Sequence, residues 1–258
     1  MDPMRFAGKK AIVTGSAGAI GGAVARAFAE QGASLGLIDI RPSMMGVDVA
    51  AKGRAGVFDY VADLSRTEEL KRAIQNAIEA LGGVDILVNA AGITSFGSAA
   101  SLEETEWDRV LSINLKGVFF SCQSVIDSMR LRGHGGRIIN IGSLLGKNGG
   151  NARPWIDSSE QNASGNIAYG ISKAGVHALT VYLARELASA KITVNSVAPG
   201  PIESAMTAMF PDRLRSLIPL GRMGTPQEVA NAVLFLASDE AGFITGEILD
   251  VNGGAWAD

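Results

Sequence analysis

The sequence predicts an α/β fold: one parallel, doubly wound sheet of about seven strands, with helices on both faces. Three observations predict it. Short apolar, β-branched runs alternate along the 258 residues with longer stretches of helical apolar spacing. The polar and glycine signals Gly15, Asp39, Asp63, Asn89, Ser143 and Pro199 each fall where an apolar run ends. No internal repeat, low-complexity tract or linker interrupts the alternation, so residues 1–258 read as a single domain. Composition agrees, with 47% hydrophobic and 19% charged residues, as in globular chains. A net charge of −3 without a basic run argues against a nucleic-acid-binding surface. No apolar run approaches the roughly 18 residues of a membrane span, and the first residues lack a signal-peptide stretch. A protein of the cytoplasm, away from the membrane, is expected. Cys122 is the only cysteine and cannot form an internal disulfide, which fits a reducing compartment.

Lys10-Ala11-Ile12-Val13-Thr14 has the character of a buried parallel strand. Gly15 to Gly22 follows as a glycine-rich loop, and Ala23 to Gln31 has helical spacing that Gly32 stops. Strand, loop and helix in that order are the setting in which such a loop holds a dinucleotide. Glycine lets the backbone approach a pyrophosphate, and a helix N-terminus attracts it. Ser34 to Asp39 is a second strand ending in a carboxylate, at the distance from the loop where an acid receives ribose hydroxyls. The fold is therefore Rossmann-like. Gly56 to Val61 is a third strand. Ser65 and Glu68 offer a capping box for a helix from Arg66 to about Leu81. Asp85 to Val88 is a strand ending in Asn89-Ala90-Ala91-Gly92. One long helix is expected from about Thr105 to Leu131, then a strand from Gly136 to Ile141 ending in Gly142-Ser143. A helix of about 166–189 carries Tyr169 and Lys173. Ile192 to Val197 closes on Ala198-Pro199-Gly200, and a helix from about Gln227 to Ala237 and a strand from about Glu247 to Val251 finish the chain.

Tyr169 and Lys173, four residues apart, lie on one face of a helix. A phenol is a poor acid or base at neutral pH, and a nearby cation favours the phenolate. The pair could move a proton to or from a substrate oxygen. Alone, the spacing describes a surface tyrosine beside a solvated lysine, and it gains meaning from the nucleotide loop elsewhere in the chain.

The ordered set resembles one family over essentially the whole length. The matching pieces are Thr14-Gly15 with Ala19-Ile20-Gly21, Asp63-Leu64, Asn89-Ala90-Ala91-Gly92, Asn114, Gly142-Ser143, Tyr169 with Lys173, and Pro199-Gly200. The chain resembles the compact branch of the short-chain dehydrogenases/reductases. It is most similar there to 3-oxoacyl-carrier-protein reductases and to NAD-dependent sugar, polyol and small-alcohol dehydrogenases. The resemblance implies that Tyr169 is the general acid/base on the carbinol or carbonyl oxygen. It implies that Lys173 binds the nicotinamide ribose and lowers the tyrosine's pKa, that Ser143 positions the same oxygen, and that Asn114 holds a relay water. Gly15, Ser16, Gly18, Ala19, Ile20 and Gly21 would form the pyrophosphate loop, and Asp39 would take the adenine-side ribose. Asn89, Ala91 and Gly92 would line the cofactor, Asp63 and Leu64 would meet the adenine, and Pro199, Gly200 and Ile202 would pack near the nicotinamide. No metal is implied, and His134 has no partners spaced for one. A homotetramer is the family's expectation, and the long helices, apolar on more than one face, also favour pairing.

Ala19 stands where the family usually has glycine, Ala90 replaces an asparagine, and Ser204 replaces a threonine. All four catalytic positions are nevertheless present, which favours an active enzyme over a nucleotide-binding sensor or scaffold. Asp39 without a basic residue at 16–18 predicts NAD(H) rather than NADP(H), with Arg41 as the one contrary signal. His177 reads as a helix-packing or interface residue. Ser143 and Tyr169 are 26 positions apart, further than relatives commonly hold them. The extra residues, about 147–166, are polar and glycine-rich and predict a substrate-facing lid in which Arg153 or Trp155 touches the substrate. That favours a polar alcohol or ketone such as a sugar, polyol or hydroxy acid, with a 3-oxoacyl-carrier-protein substrate as the alternative.

Overall fold

The computed structural model describes residues 4–43, 56–95, 97–150, 159, 166–207 and 215–257. Seven apolar runs pair as β1 (Lys10–Thr14), β2 (Ser34–Asp39), β3 (Val57–Val61), β4 (Ile86–Asn89), β5 (Gly136–Ile141), β6 (Ile192–Pro199) and β7 (Ile248–Val251). Their order is β3-β2-β1-β4-β5-β6-β7, and every neighbouring pair is parallel. All residues of β4 and β6 are buried, as expected of strands covered on both faces. Successive residues of β1 show the two faces directly. Val13 belongs to one core with α1 (Ala19–Glu30) and α7 (Pro226–Ala237), where Phe6 and Phe28 meet edge to face. Ile12 belongs to the other, with α2 (Thr67–Leu81), α4 (Val118–Arg132) and α6 (Ile167–Leu187). The strand order reverses direction at β1 and β4, where Thr14 lies beside Asn89. A crevice opens outside the carboxyl ends of the strands at such a switch point, and ligands bind there.

Four local expectations change. Helix α1 begins at Ala19, four residues early, because Gly18 takes an extended conformation and accepts from Gly22 N, so the second half of the glycine loop is already helical. The capping box at Ser65 and Glu68 does not form. Ser65 Oγ donates to Asp63 Oδ1 at 2.7 Å, and Glu69 instead receives Asp63 N–H at 2.9 Å, so the serine side chain is engaged by a local carboxylate rather than by the helix end. A complete box is found at α7, between Thr225 and Glu228 with proline in the first turn. The long helix is interrupted: α3 (Glu104–Leu111) passes through a π-helical turn, Ser112–Gly117, into α4. Such turns occur frequently at functional sites, and this one contains Asn114.

The expected insertion starts later than predicted. Lys147 lies in the one-turn helix α5 (Leu145–Asn148), where its ammonium pairs with Asp250 Oδ2 on β7 at 2.8 Å. Asn166 forms an isolated bridge with Gly97 just before α6. Arg153 and Trp155 lie outside the described residues. Among the described residues no helix is long and apolar enough to cross a membrane.

Candidate active site

The glycine loop shapes one half of the crevice. Gly15 has φ +71°, and a Cβ there would lie 2.5 Å from Ala91 N, so only glycine lets the loop cross beside β4. Helix α1 has no side-chain cap and no acid in its first turn, which leaves its positive end for an anion. Ser16 Oγ is buried with no partner among the described residues. A loop, an uncapped helix end and an orphaned hydroxyl together fit a dinucleotide pyrophosphate. Asp39 stands at the end of β2, where its two carboxylate oxygens accept from Ala17 N and Arg41 N, each at 3.1 Å. The acid therefore braces the loop whose ligand it would share. Asp59 on β3 lies near enough for the Asp39 charge to help raise its pKa, although burial is the larger cause. Asp59 also receives Ser43 N–H at 2.7 Å. This second carboxylate near Asp39 is absent from the sequence reading, since an acid inside a strand carries no motif.

The other half is built on α6. Tyr169 and Lys173 share its inward face, with Lys173 Nζ 5.7 Å from the phenol ring centre. Tyr169 and Ser143 are brought together from α6 and the end of β5, near enough for the serine side chain to pull on the phenol's pKa. Lys173 is 3% exposed, and its ammonium donates to Ile141 O at 2.7 Å. Burial drives the two side chains in opposite directions. It pushes the Tyr169 phenol above its ordinary 10.0, against the pull of Ser143, and lowers the Lys173 ammonium to about 8. The lowering that the resemblance implies comes from Lys173 together with a bound cationic nicotinamide; in the chain by itself desolvation is the largest influence on the phenol, and Ser143 opposes it.

The π turn turns Asn114 into the same place. Its amide is matched to the backbone after β4, receiving Ile93 N–H at 2.9 Å and donating to Ile93 O at 2.8 Å. It also donates to Ser172 Oγ at 3.1 Å, and that hydroxyl donates to Tyr169 O. A Cβ on Gly92 would lie 3.4 Å from Lys173 Nζ and 3.6 Å from Asn114 Oδ1, so both polar groups border the space in front of Gly92.

The predicted cofactor residues divide by where their side chains go. Asn89 is 1% exposed and donates to Asn140 Oδ1 and Cys122 Sγ, a core network that Asn140 extends to Thr180. Asp63 holds Ser65 through one oxygen, and Leu64 is buried in the core beside α4. Pro199 O receives Leu144 N–H, tying β6 to the Ser143 loop, while Gly200 packs on Asn252. Ile202 is 5% exposed and packs with the α7 core.

Known proteins resemble this chain over nearly its whole length. A family model described as enoyl-(acyl carrier protein) reductase matches residues 15–255. A 3-oxoacyl-[acyl-carrier-protein] reductase FabG of Thermotoga maritima is 38% identical over 257 residues, 97% of this chain and 99% of that one. Nodulation protein G of a Rhizobium species, strain N33, is 43% identical over 252 residues, 96% of each chain. A crystal structure of a short-chain type dehydrogenase/reductase from Mycobacterium marinum superposes with a TM-score of 0.87 and 32% identity, covering all of this chain and 99% of that one. The chain belongs to the short-chain dehydrogenase/reductase family. Family membership makes it an oxidoreductase of that class. His177, read from the sequence as packing or interface, instead lies 9% exposed against the Ser143 loop, where its Nε2 accepts Ser143 N–H at 3.3 Å.

Proposed function

We propose that this protein interconverts a secondary alcohol and its ketone with NAD(H), with Tyr169 as the general acid/base. The observation that carries the reading is the meeting of Tyr169 and Ser143 beside the buried Lys173 ammonium, which with Asn114 Oδ1 borders the Gly92 space. Bound nicotinamide would supply the hydride chemistry. The residues of the chain handle the oxygen and its proton. Ser143 holds the substrate oxygen at the phenol. Tyr169 donates its proton to that oxygen in reduction and takes it back in oxidation. The phenol, raised by burial, rests protonated at neutral pH and is therefore ready for the reductive direction. Lys173 holds a ribose hydroxyl and passes protons toward the water that Asn114 Oδ1 can still accept from. Gly15, Ser16, Gly18, Ala19, Ile20 and Gly21 hold the pyrophosphate, and Asp39 binds the ribose diol. The bracing of Asp39 against Ala17 N–H supports NAD over NADP, because a 2′-phosphate would meet a fixed carboxylate, with Asp59 behind it.

The polar stretch of about 147–166 supports a sugar, polyol or hydroxy acid as substrate. A second reading, reduction of a 3-oxoacyl group carried on a thioester, is favoured by the likeness to the FabG protein of T. maritima. NADH absorbance followed with a panel of polyols, sugar ketones, 2-hydroxy and 3-hydroxy acids and 3-oxoacyl thioesters tests both. Turnover of the polar ketones is expected. Turnover of thioesters alone would overturn the first reading in favour of the second, and no turnover of any would favour a nucleotide-binding protein without catalysis.

A further inference from the structure

Three consecutive residues follow β5 into the site, and their backbone amides point alternately. Gly142 N donates to Val197 O and Leu144 N to Pro199 O, continuing the parallel ladder onto β6. Ser143 N, between them, faces away from β6, where a strand partner is lacking because β4 ends at Asn89. Its acceptor is a side chain: His177 Nε2 on α6, 3.3 Å away. An imidazole nitrogen that accepts an N–H is one that carries no proton of its own.

The surroundings are cut to this ring. A Cβ on Gly142 would overlap Nε2 and lie 2.6 Å from Cδ2, while a Cβ on Gly146 would lie 3.0 Å from Cε1. The imidazole thus fills a slot between two glycines that flank Ser143 on either side in sequence. His177 also lies one helical turn beyond Lys173, so one helix face carries the acid/base, the lysine and this ring in successive turns. We infer that His177 is a positioning residue: its Nε2 holds the Ser143 amide and thereby sets the hydroxyl at the Tyr169 phenol. This rests on the proposed role of Ser143, which the ring itself does not touch through its hydroxyl. Leu145 N donates to Ser143 Oγ at 3.2 Å, so the hydroxyl has a second local restraint, and the amide bond fixes the backbone from which it projects.

The test uses the full-length protein and three variants, His177→Leu, His177→Gln and Ser143→Ala. Glutamine places an acceptor oxygen at about the depth of Nε2, whereas leucine fills the slot and accepts nothing. Hydrogen exchange of the Ser143 amide, read by NMR without substrate, is expected to speed up at least about tenfold in His177→Leu and to recover in His177→Gln. Unchanged exchange in the leucine variant would overturn the inference whatever the protein's substrate. With the most active ketone of the panel, kcat of His177→Leu is expected to fall about 10- to 100-fold, the scale of a misplaced reacting group. KM and NAD affinity should change less than about threefold, and His177→Gln should recover most of kcat. Leucine-variant turnover within about twofold of the parent, while Ser143→Ala loses it, would overturn the positioning role and leave the Ser143 reading standing. Full turnover in Ser143→Ala would sink the reading of the serine itself. Melting curves identify a variant that fails to fold, and His177→Ala, which also removes the acceptor, then replaces the leucine variant in the exchange measurement with the same expected and overturning results.

Discussion

Replacing Lys173 with Met should stabilise the protein while abolishing its chemistry. The lysine is buried, and burial lowers its ammonium from an ordinary 10.5 to about 8. At about 1.4 kcal/mol per pH unit, that gap means the charged form costs the fold about 3 kcal/mol at neutral pH. The stability effect has a definite sign. Between about pH 8 and 10.5 the unfolded chain binds a proton that the folded one has released, so wild-type stability rises across this window; below pH 8 the cost is present in full. Met keeps the length of the stem and removes the charge, but it leaves Ile141 O without the ammonium it accepts from, a loss of about 1–2 kcal/mol. The net gain at pH 7 is therefore about 1–2 kcal/mol, or a few degrees in melting temperature for a domain of this size. Urea unfolding of both proteins at fixed concentration from pH 7 to 10.5 measures it. The advantage of the variant should shrink by about 3 kcal/mol as the pH rises. A difference that stayed flat with pH would refute a lysine held near 8, and with it the desolvated setting proposed for the proton transfer.

Tyr169→Phe removes the hydroxyl and keeps the ring, so NAD binding should survive while turnover drops by about 10²–10⁴-fold; turnover near the parent's would reject the tyrosine as acid/base. Comparing kcat/KM for NADH and NADPH should favour NADH, and Asp39→Ala should narrow the ratio, also loosening the glycine loop that its carboxylate holds at Ala17. Cys122 is fully buried and its thiol is pushed up to about 12, mainly by burial, so the native protein should resist iodoacetamide and react once unfolded. Phe119 on α4 and Ile171 and Tyr182 on α6 are exposed, and light scattering at micromolar concentration should give a homotetramer rather than a monomer.

Where structure depends on local chain chemistry, the sequence is legible. The strands lie where β-branched runs lie, because strands covered on both faces need apolar residues throughout. The glycine loop is readable because Gly15 must take a positive φ beside Ala91. Tyr169 and Lys173 are readable because one helical turn has a known length. The π turn at Ser112–Gly117 is not, since the residues around it keep an apolar spacing that a continuous helix would also satisfy. The failed cap at Ser65 shows the same limit at short range. The Ser65 hydroxyl donates to Asp63 rather than capping the helix, and Glu69, not Glu68, reaches back to the Asp63 N–H.

What the sequence hides most is backbone chemistry performed by side chains. His177 serves a main-chain amide, so no second motif residue announces it. Asn114 is recognisable by its place in the motif order, yet its contacts in the fold are to both backbone atoms of Ile93 and to Ser172. Asn89 sits in a motif that suggests cofactor contact, but its side chain ties β4 to β5 through Asn140, and Thr180 links that network to α6. These three side chains connect β4, β5, the π turn and α6, the elements that bring Ser143, Tyr169 and Lys173 together. Functional constellations tolerate displacements of only about 0.5 Å, so a shift of any of those elements would weaken the meeting of the serine and the tyrosine. The site's accuracy therefore rests on buried hydrogen bonds between side chains and backbone, and the proposed chemistry on two groups, a phenol and an ammonium, that burial has moved away from their ordinary pKa values.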